Sequence, residues 1–329
     1  MQWNYAFDIG NENAVMVMRG IDGYLEIPAY AVYREERDEP IARGDKALEM
    51  YFRSGAEHIT RCGMPLDAER MARFVMSLVR SHEKYASGSK NILLAVSPLA
   101  VYSSLQPLYR SLLELGADRV GIVPMDFACA AGTFADCLSG NACITLDVGA
   151  SQVTLSCVCG GMRVELSRLE YGLNRCDDVI IERFRTKTGF VLGRQTAREL
   201  KQTRTGKESV TVSAFSPAKG LPVRCEFPME LVSTALVELL KDAAELCDGM
   251  LSRLPCECAE DVLTRGIFVT GGGSGIFGID KLLSEALELP IHTAQAGDKT
   301  AATGLKLILE DTNKYQVLIT DEVSGGRRL

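Results

Sequence analysis

A chain of 329 residues with a formal charge of -7 and no Lys/Arg cluster lacks the electrostatic footprint of a nucleic-acid-binding protein. With 47% hydrophobic and 24% charged residues it has the composition of a globular protein, and its length exceeds what one core usually organises, so two domains or lobes are expected. No apolar run approaches the eighteen or so residues of a membrane span, and Asp8 interrupts the opening hydrophobic stretch where a signal peptide needs an unbroken one, so a cytoplasmic location is expected.

In chain order, Tyr5 to Met18 predicts a hairpin over 4–19: a hydrophobic strand, the polar turn Asp8-Ile9-Gly10-Asn11-Glu12-Asn13, and a second hydrophobic run. Gly20-Ile21-Asp22-Gly23 turns the chain into a strand over 24–33. The charged stretch 34–40 reads as a loop, and a helix follows over 45–53. Asp67 can cap the next helix, where Met71, Phe74, Val75, Leu78 and Val79 repeat at helical spacing while Arg70, Arg73, Arg80 and Lys84 form a solvated face. A polar loop leads to the buried strand 92–96, a helix over 101–115 closed by Gly116, a strand over 119–124, and a small-residue helix over 126–137.

At Ala142 to Ser156 the opening pattern returns. Asp147-Val148-Gly149-Ala150-Ser151 stands 139 residues after the first Asp-hydrophobic-Gly turn, again between two hydrophobic runs, and so reveals an internal duplication. The second half then repeats the plan with a hairpin over 143–159, a strand over 162–169 and a helix over 175–188. A helix over 194–204, a polar strand-like segment over 209–227 and a long amphipathic helix over 229–254 follow. The closing unit is a strand over 266–270, the run Gly271-Gly272-Gly273-Ser274-Gly275, a helix over 280–287, a strand over 290–293 and a helix over 300–309. Strands alternating with helices predict parallel or mixed sheets covered by helices. The Gly/Arg-rich tail 323–329 is expected to be disordered.

Eleven cysteines, several in apolar patterns, suit reduced core thiols rather than a disulfide framework. Cys157-Val-Cys159 and Cys256-Glu-Cys258 do not read as a metal site, because a one-residue spacing in a strand sends the two thiols to opposite faces and only three histidines are present. Two Asp-Gly turns at matching places in two halves make a clamp for a phosphorylated ligand. Turn amides donate to phosphate oxygens, glycine admits close approach, and Asp8 and Asp147 can hold Mg2+ through water. The run from Thr270 to Gly275, between a strand and a helix, allows backbone to pack against a flat ring or a phosphate. Gly273-Ser274-Gly275-Ile276-Phe277-Gly278 also fits a dinucleotide fingerprint, but only 51 residues follow it and no acid closes a second strand at the required distance. It is not a Walker loop either, since Ile279 stands where lysine is needed.

Taken together these residues resemble the actin, sugar-kinase and heat-shock chaperone superfamily, and within it the MreB family of bacterial actins. Asp8 to Asn13 is similar to the superfamily's first phosphate loop, Asp147 to Ser151 to its second, and Thr270 to Ser274 to its adenosine loop. Leu192-Gly193-Arg194-Gln195-Thr196-Ala197-Arg198-Glu199-Leu200-Lys201 is similar to the MreB helix that touches adenosine, and Tyr171-Gly172 through Asp177-Asp178 to a Gly-Gly-Asp segment. The resemblance covers residues 4–311 and implies an α/β, actin-like (ribonuclease H-like) duplicated fold with two lobes around a nucleotide cleft. The first lobe would be 1–142 with a small insertion near 32–68, the second 143–312 with an insertion near 188–245, and 313–329 a tail.

It further implies ATP and Mg2+ in the cleft, with Asp8 and Asp147 at the metal. Gly10, Asn11, Asn13, Gly149, Ala150, Ser151, Gly271, Gly272, Gly273 and Ser274 would lie along the nucleotide, and Glu199 and Lys201 near the ribose or base. The implied partners are other copies of the chain, stacked head to tail in filaments, together with cell-wall synthesis or membrane-associated proteins. The alternative within the superfamily is a nucleotide-regulated adaptor or chaperone-like protein of pilus-assembly or microcompartment type. A sugar or acetate kinase would need a substrate base that the residues do not offer.

Four departures modify that expectation. Aligned on Gly132, Met125 falls where the family carries its water-activating glutamate, and a thioether can neither accept a proton nor align a water. Asp126 is then the remaining carboxylate candidate, one residue away and so turned by about 100 degrees on a helix. Ala150-Ser151-Gln152 replaces glycines and threonines of the second phosphate loop, and Asn174 replaces the acid of the Gly-Gly-Asp segment. Weak or absent hydrolysis follows. The loop over 85–90 lacks the apolar pair through which relatives reach the membrane, so contact through partners is expected instead of direct insertion.

Overall fold

The computed structural model describes residues 2–34, 39–51, 56–85, 88–203 and 205–320. The expected tail disorder, and parts of the loops expected over 34–40 and 85–90, lie outside them. The first half builds a sheet from β1 (Tyr5–Ile9), β2 (Asn13–Met18), β3 (Leu25–Pro28), β4 (Asn91–Val96) and β5 (Arg119–Pro124), in the order β5-β4-β1-β2-β3. The second half builds one from β6 (Cys143–Val148), β7 (Val153–Cys159), β8 (Met162–Leu169), β9 (Ile267–Thr270) and β10 (Ile291–Thr293), in the order β8-β7-β6-β9-β10. Read from the third strand inward the two orders are the same, with an antiparallel meander followed by two parallel additions. The duplication seen in the turns therefore extends to whole sheets.

The helices are α1 (Asp45–Tyr51), α2 (Ala68–His82), α3 (Tyr102–Glu114), α4 (Met125–Gly132), α5 (Leu173–Thr188), α6 (Arg194–Gln202), α7 (Glu230–Leu251), α8 (Cys256–Arg265), α9 (Ile279–Leu287) and α10 (Thr300–Glu310). Asp67 caps α2 as expected, accepting the Arg70 amide at 2.9 Å. Parallel strands need cover on both faces, and the strands here have it. Tyr5, Phe7 and Ile9 pack against α2 and α3, whereas Ala6, Val15 and Leu93 on the opposite face pack against α4 and α10. The second sheet turns Ile144, Leu146 and Val148 toward α5 and α7, and Cys143 and Val158 toward Ala130 and Ala131 of α4. Helix α4 is thus sandwiched between the two sheets, which accounts for its small residues. A Cβ on Gly132 would collide with the Thr300 carbonyl, and one on Gly304 with the Ala128 carbonyl, so α4 and α10 cross backbone to backbone.

Several boundaries differ from expectation. The strand expected over 24–33 breaks after Pro28: Leu25–Pro28 pairs with β2, Tyr30–Val32 joins a separate small sheet, and the Ala29 amide turns to the Glu12 carbonyl at 2.7 Å. The helix expected over 126–137 stops at Gly132, and Phe134 adopts a left-handed φ of 60°. The helix expected over 229–254 ends at Leu251, and Pro255 starts the unforeseen α8, its fixed φ being suited to a helix start. The strand-like segment 209–227 is a hairpin of Ser209–Ser216 and Leu221–Pro228.

Candidate functional site

Both Asp-Gly turns close in the same way. The Gly10 amide donates to the Asn13 carbonyl at 2.9 Å, and the Gly149 amide to the Gln152 carbonyl at 3.0 Å. Neither glycine has a positive φ; each is needed because a Cβ would press on that carbonyl, at 3.2 Å for Gly10 and 3.0 Å for Gly149. Ala150 and Ser151 also stay out of the left-handed region, so the turn accommodates them without backbone strain. The start of α5 braces the second turn, since the Leu173 and Asn174 amides donate to the Gly149 and Ala150 carbonyls at 3.0 and 2.8 Å.

The two turns and the glycine run meet on one cleft of about 1400 Å3 between the halves. Of the residues singled out in the sequence, Asp8, Gly10, Asn11, Asn13, Asp147, Gly149, Ala150, Ser151, Lys201, Gly271 and Gly272 line it. Asp8 and Asp147 project from the ends of equivalent strands. Burial, then the neighbouring Asp147 carboxylate, push Asp8 up to about 7; burial likewise raises Asp147, against the Thr270 hydroxyl that donates to it at 3.1 Å. Two half-buried carboxylates that repel each other fit a divalent cation held also by waters and phosphate oxygens. Among the described residues no group of three or more His, Cys, Asp or Glu could form an all-protein metal cage. Mg2+ bound there would neutralise phosphate charge.

Four expected residues stand elsewhere. Gly273 packs under Val148 and buried Ser274 donates its hydroxyl to the Gly271 carbonyl at 2.6 Å, so both support the loop from beneath. Glu199 is exposed on α6 and accepts from Gln195 at 3.1 Å, because one residue of rotation separates it from the cleft-lining Arg198. The Asp126 carboxylate is buried and clamped by Arg163 of β8, with bonds of 2.5 and 2.7 Å, so its oxygens serve a bridge between α4 and the second sheet and not the cleft. Met125 lines the cleft.

Other cleft residues were not singled out as ligand-facing. Glu12, at the tip of the first turn, accepts from the Tyr30 hydroxyl at 2.7 Å and Asn174 at 3.0 Å and pairs with Arg198 at 2.8 Å. Burial alone would raise its carboxyl, but the Tyr30 bond, Arg198 and Asn174 hold it below the ordinary value. Nearby, the Cys62 amide donates to the Ser151 hydroxyl at 3.2 Å, again joining the two halves. Lys299 reaches the cleft paired with Glu26 and Asp298 at 2.7 and 2.8 Å. Glu12 and Arg198 each sit inside a quoted motif, yet only folding shows that they face each other; Lys299 carries no sequence signal.

A family model described as MreB/Mbl protein matches residues 2–317. The chain is similar to the cell shape-determining protein Mbl of Bacillus cereus, 23% identical over 321 residues that cover 93% of this chain and 96% of the relative. It superposes on MreB5 of Spiroplasma citri bound to ADP with a TM-score of 0.85 at 22% identity, covering 95% of this chain and 97% of that one. A MamK double helical filament subunit gives a TM-score of 0.77 at 18% identity, covering 93% and 98%.

Proposed function

Because the chain belongs to the MreB/Mbl protein family, we propose that it is an actin-like protein that binds ATP with Mg2+ between its two lobes and assembles head to tail with copies of itself. The filaments would serve cell-shape and cell-wall organisation, and hydrolysis would be weak. The lobes are 1–142, with an insertion near 32–68, and 143–312, with an insertion near 188–245. The location would be cytoplasmic, with any membrane association passing through partners. No helix among the described residues is long and apolar enough to cross a membrane.

One observation carries this reading: the three turns built on Asp8, Asp147 and Gly271 converge on a single cleft. Further support comes from relatives that are bound to ADP or AMPPNP, or form a double helical filament. Met125 at the cleft and the engagement of Asp126 by Arg163 support slow turnover. Titration of purified protein with fluorescent ATP, with and without Mg2+, followed by pelleting and electron microscopy, tests it. Mg2+-dependent binding and filaments are expected. Binding by a chain that stays monomeric at high concentration would leave the nucleotide-regulated adaptor; no binding would overturn the proposal.

A further inference from the structure

Among the described residues, the cations Arg198, Lys201 and Lys299 line the cleft against the carboxylates of Asp8, Glu12, Glu26, Asp147 and Asp298. Such a wall is acidic on balance, and it suits an anionic ligand only if one of its cations can turn to that ligand. Two of the three are committed. Arg198 pairs with Glu12, 21% exposed, and Lys201 with the fully buried Asp177 at 2.7 Å, besides donating to the Leu173 carbonyl at 2.7 Å. The partners of Lys299 are more open, Glu26 being 36% and Asp298 55% exposed, so water already competes for both bonds and exchanging them costs little. An ammonium has three N–H donors, and these bonds use two.

The fold brings this ammonium to the first Asp-Gly turn. Thr300 closes the turn Gly297–Lys299 by donating its hydroxyl to the Gly297 carbonyl at 2.7 Å, and Ala301 and Ala302 beyond it pack against Ala6 of β1 and Val15 and Val17 of β2. Lys299 Nζ then donates to the same Glu26 oxygen, Oε1, that accepts from Asn13 at 2.8 Å. Its charge also reaches Asp8 at the other end of the turn, drawing that carboxyl down against burial and Asp147. Val15, opposite Glu26 across the β2–β3 ladder, lines the same stretch of cleft and carries no charge.

We propose that Lys299 is a built-in cation for the phosphate chain of a bound nucleoside di- or triphosphate. It leaves Glu26 or Asp298 for a phosphate oxygen when the chain enters, so that phosphate is recognised in the absence of Mg2+ as well as in its presence. The inference rests on the nucleotide-binding reading above and deepens it. No covalent bond changes: one charge-assisted hydrogen bond to a carboxylate is exchanged for one to a phosphate, whose greater charge favours the exchange. The flexible four-carbon stem supplies the reach. Glu26 is then a competitor for the ammonium and not its anchor. Neutralising Glu26 and neutralising Lys299 therefore act in opposite directions on phosphate affinity, whereas in a bridge that merely ties β3 to the start of α10 they would act alike.

Titration calorimetry in EDTA with adenosine, ADP and ATP tests this on wild type, Lys299→Gln, Glu26→Gln and the double variant. Lys306→Gln is the control, its cation standing on α10 and pairing with Asp22 away from the cleft. Wild type should bind ADP at least tenfold more tightly than adenosine. Lys299→Gln should lose most of that preference, with adenosine affinity changed less than twofold. Glu26→Gln should gain several-fold for ADP and ATP, and the gain should vanish in the double variant. Unchanged ADP affinity in Lys299→Gln, an equal loss for adenosine, a loss in Glu26→Gln, or a loss in Lys306→Gln as large as that in Lys299→Gln overturns the proposal. So does a wild-type protein that binds Mg-ATP yet, in EDTA, prefers ADP no more than adenosine. Wild type that fails to bind Mg-ATP at all overturns the underlying reading instead.

Discussion

Glu12 and Arg198 form a 2.8 Å ion pair across the cleft, one from the first Asp-Gly turn and the other from α6 of the second half. Each side chain is 21% exposed, and Tyr30 and Asn174 complete the carboxylate's partners, so the pair is well shielded from solvent. Asn174 can donate to Glu12 where an acid at that position would repel it.

Breaking this pair should loosen the cleft. Glu12→Ala leaves Arg198 without its carboxylate, at a cost of roughly 1–3 kcal/mol for a partly shielded hydrogen-bonded ion pair. Dissociation of a fluorescent nucleotide, followed by stopped flow, should accelerate about 5- to 50-fold in Glu12→Ala and in Arg198→Ala, with little further change in the double variant. Additive effects of the two substitutions would show that the residues act separately.

The two kinds of cleft carboxylate predict opposite pH trends in the nucleotide-free protein. Asp8, raised to about 7, keeps its proton in the folded state after the unfolded chain has lost it, so its contribution to stability falls as pH rises from about 4 to 7. Glu12, held below its ordinary value, stabilises the fold above its unfolded pKa and loses that effect as pH drops through the folded one. Asp8→Asn should therefore raise the melting temperature at pH 8 by several degrees, at about 2–4 °C for each kcal/mol relieved, and Glu12→Gln should flatten the acid limb. Calorimetry across pH 4 to 8 checks both signs.

Asp8→Asn should meanwhile reduce Mg2+-dependent affinity for ATP tenfold or more, as should Asp147→Asn, while affinity measured in EDTA changes little. Titration calorimetry with and without Mg2+ separates the two terms. Equal losses under both conditions would show that the carboxylates do not act through the metal.

An acid at position 125 should raise turnover. Met125 lines the cleft, so Met125→Glu places a carboxylate there and should speed phosphate release tenfold or more. An unaltered rate would show that the side chain at 125 does not reach the reacting water.

The α4–α10 crossing predicts a sharp contrast among glycines. Gly132→Ala or Gly304→Ala drives a methyl into a carbonyl of the facing helix and should destabilise by about 3 kcal/mol or prevent soluble expression. Gly140→Ala meets no atom within 4 Å and should melt like wild type. Thermal denaturation of the three variants is the measurement.

By itself the amino-acid sequence determined the duplicated plan, the two Asp-Gly turns and the glycine run, because each depends on residues within a few positions of one another. Strand alternation, the Asp67 cap and the turn hydrogen bonds at Gly10 and Gly149 are local physics, legible in order. One boundary slipped where a distant contact intervenes, Gly132 ending α4 against α10, and another where a local signal, Pro255, was passed over before α8. The tertiary structure alone decided which members of each motif face the cleft. One step of helical rotation sends Glu199 outward and Arg198 inward, and a strand from the other half captures Asp126. Glu12 and Arg198 become neighbours only in the folded chain, where the two halves meet, and no spacing along the chain encodes a distance across a cleft.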